Sequence, residues 1–127
     1  MTLPGRVALR LADVGLALGL LPVMEVAGRF IGPRPLVRAL RLVGRRAPAR
    51  DAAGRAWLQR VLGAVDRRLP GGERCYRRVL CELTLDAGAA GEPLRLGLDG
   101  TGALRSGHAW LGDARGREQP YPIELSL

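Results

Sequence analysis

Apolar residues along this chain recur first at helical and then at strand spacing. From Leu9 to Ala27 the sequence is rich in Leu, Val and Ala, but Asp13 and Glu25 interrupt it. The uninterrupted part, Val14 to Met24, is eleven residues, well short of the roughly twenty that a spanning helix needs. The spacing predicts a helix that is buried or lies on an interface, with peripheral membrane contact as the lesser reading. Arg6 and Arg10 ahead of the run imitate a secretory signal, but Asp13, Pro22 and the poor small-x-small cleavage pattern oppose it. Pro22 either opens a second helical turn or kinks the first, and Gly32-Pro33-Arg34-Pro35 stops the helix.

Leu36 to Val43 predicts a second helix, with Arg38, Arg41, Arg45 and Arg46 near one side as a solvated basic face. A loop around Pro48 follows. Asp51 is placed to cap a third helix running to about Leu69, whose apolar stripe is Ala53, Trp57, Val61, Ala64 and Val65, opposite Arg55, Gln59, Arg60 and Arg67. Pro70-Gly71-Gly72 breaks that helix. Val79, Leu80 and Leu83, with Arg77, Arg78 and Glu82 between them, keep helical spacing and put Cys75 in or near the first turn of a fourth. Asp86-Ala87-Gly88 ends it.

After Gly91 the pattern alternates. Leu94, Leu96 and Leu98 fall on one side of a strand, with Arg95 and Gly97 on the other. Asp99-Gly100-Thr101-Gly102 and Gly112 to Gly116 read as turns around a second strand, Leu104 to Leu111. Gln119 to Leu125, with Pro120 and Pro122, fits only an edge strand. Helices followed by a small antiparallel sheet make an α+β layout, with a cysteine-bearing helix packed on the sheet. At 127 residues the chain is expected to form one domain, helical over about 5–70 and with its Cys/His core over about 71–127.

Composition adds charge to this picture. All twenty basic residues are arginine, and against twelve acidic residues they leave a net charge of +8. Such a surface attracts acidic peptides, nucleic acid or anionic membranes. Few aromatics are available for base stacking and no nucleic-acid motif is present, so an Arg-rich nucleic-acid module is the weakest reading. Cys75 and Cys81 lie six residues apart, about 600° around a helix, and are expected to be thiols. With no Cys-x-x-Cys pair, His cluster or phosphate-binding loop, neither a metal nor a cofactor is expected.

Candidate chemistry lies in two stretches, Gly71-Gly72-Glu73-Arg74-Cys75 and Ser106-Gly107-His108-Ala109-Trp110-Leu111, the second holding the only histidine. Free N–H groups and the positive end of a helix dipole stabilise a thiolate at a helix start, and an imidazole stabilises it further. The helix-opening Cys, a following strand and a His-Ala-Trp strand resemble the transglutaminase-like cysteine protease superfamily. Within it the chain is most similar to lasso-peptide leader peptidases of the microcin-processing type, which join a leucine-rich helical part to that core. The resemblance implies a cytoplasmic protein that removes the leader from a ribosomally made precursor peptide, beside a separate leader-recognition protein and a ring-closing cyclase. It implies Cys75 as nucleophile and His108 as its acid–base partner.

The third group departs from the family pattern. Members usually follow His-Ala-Trp with a hydrophobic residue and Glu, then an Asp on the next strand. Here Gly112 takes the Glu position, and Pro120 stands twelve positions after His108. If the last two strands form a hairpin, the residue across from His108 falls near Pro120 or Tyr121. Gln119 is then the candidate orienter of the imidazole, with Glu118 as its rival. A non-catalytic, peptide-binding relative of the same fold is the alternative function.

Overall fold

The computed structural model describes residues 3–72, 74–98, 108–112 and 123–126, with side chains over 10–72, 74–96 and 109–112. Helices α1 (Leu3–Phe30), α2 (Pro33–Gly44), α3 (Ala52–Arg68), α4 (Cys75–Leu85) and the short α5 (Ala87–Ala90) come first. Strands β1 (Leu94–Leu98), β2 (His108–Leu111) and β3 (Ile123–Ser126) follow. The layout is α+β, helices first and then a small antiparallel sheet.

α1 runs unbroken through Pro22, which is exposed. Only one face is covered. Ala17, Leu21 and Met24, at i, i+4 and i+7, are buried against α3 and α4. Asp13 is also buried because Arg50, in the α2–α3 loop, grips both its oxygens at 2.8 Å. The same guanidinium donates to the Leu85 carbonyl at 3.2 Å, so one side chain ties α1 to the end of α4.

α2 buries Leu36, Val37, Leu40 and Gly44. A Cβ at Gly44 would lie 1.7 Å from the Leu83 carbonyl oxygen, so this helix can approach α4 only through glycine. Arg38, Arg45 and Arg46 are exposed as the sequence suggests, but Arg41 is not on that solvated face. It turns inward and donates to the Ala90 and Glu92 carbonyls at 2.7 and 2.6 Å. Those helix-end carbonyls need donors, and the guanidinium supplies them.

α3 starts where Asp51 accepts from Gly54 N at 2.7 Å, the predicted cap. Its buried face is rotated from the expected stripe. Leu58, Val61, Leu62, Gly63 and Asp66 are buried, while Ala53 is exposed and Trp57 only half-buried. The reason is Asp66, which meets a buried arginine of α4 and so brings a charged position to the inside. Trp57 instead lies under two guanidinium groups, Arg10 at 5.1 Å and Arg60 at 5.9 Å from its ring centre.

The sheet order is β2-β1-β3. β1 pairs with β2 from Leu94↔Leu111 to Gly97↔His108 and with β3 from Arg95↔Ser126 to Leu98↔Ile123, both antiparallel. The expected β2–β3 hairpin is therefore not the pairing seen, because β1 lies between them. Leu94 and Ala109 join Leu21, Leu58, Leu80 and Leu83 in one continuous core beneath the sheet.

Candidate functional site

Two glycines in left-handed conformation, Gly71 (φ 90°) and Gly72 (φ 73°), turn the chain sharply out of α3, a backbone that other residues adopt only with strain. Arg74 follows in extended conformation as the N-cap of α4, and Cys75 is the first helical residue. The side chain of Arg74 makes no capping bond. The first-turn N–H groups of α4 thus face the space beside Cys75 with no side-chain cap from that residue.

Asp66 holds this corner in place. Its carboxylate is fully buried and accepts from Arg74 N at 2.8 Å and from Arg77 Nε; Arg78 Nε lies 3.3 Å away. Arg77, 2% exposed, donates in turn to the Asp66 carbonyl at 3.1 Å and the Gly72 carbonyl at 2.7 Å. A buried ion pair with its remaining hydrogen-bonding positions occupied fixes geometry more than it adds stability. Here the fixed geometry is the turn that presents Cys75.

Across from Cys75 runs β2. The Gly112 N–H bonds to the Pro93 carbonyl at 2.9 Å, and the alternation of an antiparallel ladder then turns the Ala109 and Leu111 amides toward the free edge. The Ala109 N–H meets Cys75 Sγ there at 3.2 Å. The sequence-predicted cysteine thus touches the backbone one residue from His108, which opens β2. Gln119 and Glu118 lie outside the described residues. The hairpin that singles out Gln119 is replaced by another register, in which His108, Gly97 and Glu124 occupy one row across the sheet.

A cavity of about 360 Å³ opens between α3, α4 and β2. Cys75, Arg78 and Glu82 line it from α4, Arg55 and Gln59 from α3, and Ala109 to Leu111 from β2. Positions 75, 78 and 82 repeat at i, i+3 and i+7, which keeps them on one helix face. Arg55 pairs with Glu92, which raises its already high pKa. Gln59 donates to Glu82 at 3.3 Å, while burial pushes the Glu82 carboxyl above its ordinary value. The cavity therefore offers a thiol, two guanidinium groups and a carboxyl of reduced acidity. Among the described residues no group of three His, Cys, Asp or Glu could hold a metal ion.

Asp66, Gln59, Arg55 and Glu82 are missing from the sequence-based reading of the site. Asp66 lies off the apolar stripe the sequence shows, and it is buried only through an arginine eleven residues on, in the next helix.

The two thiols differ sharply. Cys75 is half-buried beside the cavity, whereas Cys81 is fully buried. Its thiol is pushed up to about 12, first by burial and then by the Asp66 and Glu82 charges. Since the thiolate is the reactive form, iodoacetamide on the folded protein should label Cys75 alone, read by peptide mapping. Faster labelling of Cys81 would contradict this arrangement.

Compared with known proteins, the chain matches no family model, no curated protein and no solved structure.

Proposed function

We propose that this chain is a cysteine peptidase that removes the leader from a ribosomally made lasso-type precursor peptide, using a transglutaminase-like core. The observation that carries the reading is the meeting of Cys75 Sγ with the Ala109 N–H at the start of α4. A sulfur that accepts an N–H bond beside a helix N-terminus is held where negative charge is favoured. In the proposed reaction the Cys75 thiolate attacks the scissile carbonyl, and first-turn N–H groups of α4 stabilise the oxyanion. His108 takes the thiol proton and gives it to the leaving amine; water then hydrolyses the thioester with His108 as base. The polar cavity beside Cys75 is the proposed seat for residues flanking the cleaved bond.

For the third role we propose Glu124, with Gln119 as the rival. Neighbouring strands lie about 4.8 Å apart, so His108 and Glu124 are about 9.6 Å apart at Cα with a glycine between them. A histidine and a glutamate together can span such a gap. On this reading the protein works in the cytoplasm with a separate leader-recognition protein and a cyclase.

The test is incubation of the protein and a leader-recognition protein with the cognate precursor, followed by mass spectrometry. Wild type should release the leader and Cys75→Ala should not. Equal cleavage by both would remove the peptidase reading. Leader binding without cleavage by wild type would favour the non-catalytic relative of the same fold.

A further inference from the structure

α1 is apolar on nearly every side yet covered on only one. Within Arg10–Phe30 an 18-residue window has a mean hydropathy of 1.6, but only 22% of that window is buried. Every exposed residue from Leu11 to Val26 is uncharged, and Leu11, Leu18, Val23 and Val26 are each more than half exposed. The face continues to Phe30, 83% exposed, and Ile31, a length of about 28 Å at the helical rise. Scattered apolar side chains on a surface are ordinary; a continuous strip without charge indicates something that covers it.

Charge identifies the cover. Arg29 brackets Phe30 on one side, and Arg34 stands just past Ile31 on the other. Arg38, Arg45 and Arg46 follow, exposed, on and just beyond α2, with no carboxylate partner among the described residues. An apolar strip ending in an exposed aromatic and followed by arginines matches the two zones of a bilayer surface rich in anionic lipid, acyl chains below and phosphates above. A second copy of this chain fits poorly, since pairing strip to strip would bring arginines together on molecules that each carry a net charge of +8.

The helix cannot span while this fold persists. Asp13 is gripped by Arg50 at 2.8 Å, and Glu25, besides pairing with Arg29 of its own helix at 3.0 Å, is held from the start of α4 by Arg77 at 3.4 Å and Arg74 at 3.6 Å. Crossing would strip both acids from their partners outside α1 and carry them into hydrocarbon. We propose that α1 lies in the plane of an anionic membrane surface, its outer face in the lipid and the arginines after it on the phosphates. The cavity at Cys75 is lined by α3, α4 and β2, so the seat involves a different part of the molecule and does not depend on the proposed chemistry.

The experiment is co-sedimentation of the full chain with vesicles of equal parts phosphatidylglycerol and phosphatidylcholine, and with phosphatidylcholine alone. The anionic vesicles should bind the protein, and raised salt should release it. Arg34→Gln with Arg38→Gln should weaken binding about 25-fold, roughly fivefold for each arginine near the surface. Val26→Ser with Phe30→Ser should weaken it about tenfold or more. Because all four positions are exposed, the melting temperature of either variant should match wild type. Absent binding, equal binding to both vesicle types, or indifference to these substitutions would overturn the proposal. So would a dimer that Phe30→Ser dissociates, a soluble acidic protein that competes for the strip, or protein that only detergent can extract from vesicles.

Discussion

Replacing Asp66 with alanine is expected to cost about 3–5 kcal/mol of folding stability, because it leaves a buried guanidinium without its counter-charge. Arg77 is almost fully inaccessible, and its remaining acceptors are the neutral carbonyls of Asp66 and Gly72 and the more distant Glu25. For a chain of this size the loss corresponds to a fall of about 10–20 °C in melting temperature. Removing both charges is a different case. Asp66→Leu with Arg77→Met should recover most of the stability, since an apolar pair of similar volume often replaces a buried ion pair at little cost. Iodoacetamide labelling of Cys75 should nevertheless stay altered in the double variant, because Arg74 N has lost the carboxylate that fixes the turn. Urea unfolding supplies the energies and labelling rates supply the geometry. An Asp66→Ala variant within about 1 kcal/mol of wild type would show that the corner is held by other means.

Under the proposed mechanism, His108→Ala is expected to remove nearly all cleavage of the cognate precursor, a loss on the order of a thousandfold or more, because the thiol would lose its base and the leaving amine its acid. Glu124→Gln should lose less, about ten- to a hundredfold, as an orienting group does. The chain has a single histidine, so its imidazole resonance can be followed without assignment. In the Cys75→Ala background Glu124→Gln should lower the His108 pKa, since a carboxylate stabilises the charged ring and an amide does not. Arg95, two positions before Gly97 on β1 and donating to the Gly112 carbonyl at 3.1 Å, is the same in both proteins. An unmoved resonance, with a larger loss of cleavage in Gln119→Ala, would return the third role to Gln119.

Local chemistry made much of this molecule legible in advance. The Asp51 cap, the glycine turn before Cys75 and the alternation of Leu94, Leu96 and Leu98 are decided within a few residues, and each element starts where its signal lies. The rotated face of α3 was not readable because Asp66 is buried by a partner on another helix, and polarity alone assigns an acid to solvent. Arg41 was misplaced for the same reason, since its carbonyl acceptors lie about fifty residues away in sequence. The sheet order was hidden most deeply. Turn signals between β2 and β3 suggest a hairpin, yet the pairing formed puts β1 between them. For the candidate site, the helix start and the strand pattern match the elements seen, with Cys75 opening α4 and His108 opening β2. The polar wall of Arg55, Gln59 and Glu82 was not legible, because it requires α3 and α4 to be docked.

The helical core and the site are finished at different times. Leu21, Leu58, Leu62, Leu80 and Leu83, all fully buried, belong to helices complete by Leu85. β1, which positions the histidine strand, gains its second neighbour only at Ile123–Ser126. During synthesis the helices can therefore gather around their leucines while the sheet is still within the ribosome, as chains fold from the N-terminal side. Cys75 is presented first, and the Ala109 amide reaches its sulfur later. The order in which the chain emerges thus keeps the Ala109 amide away from Cys75 until the strands have been made.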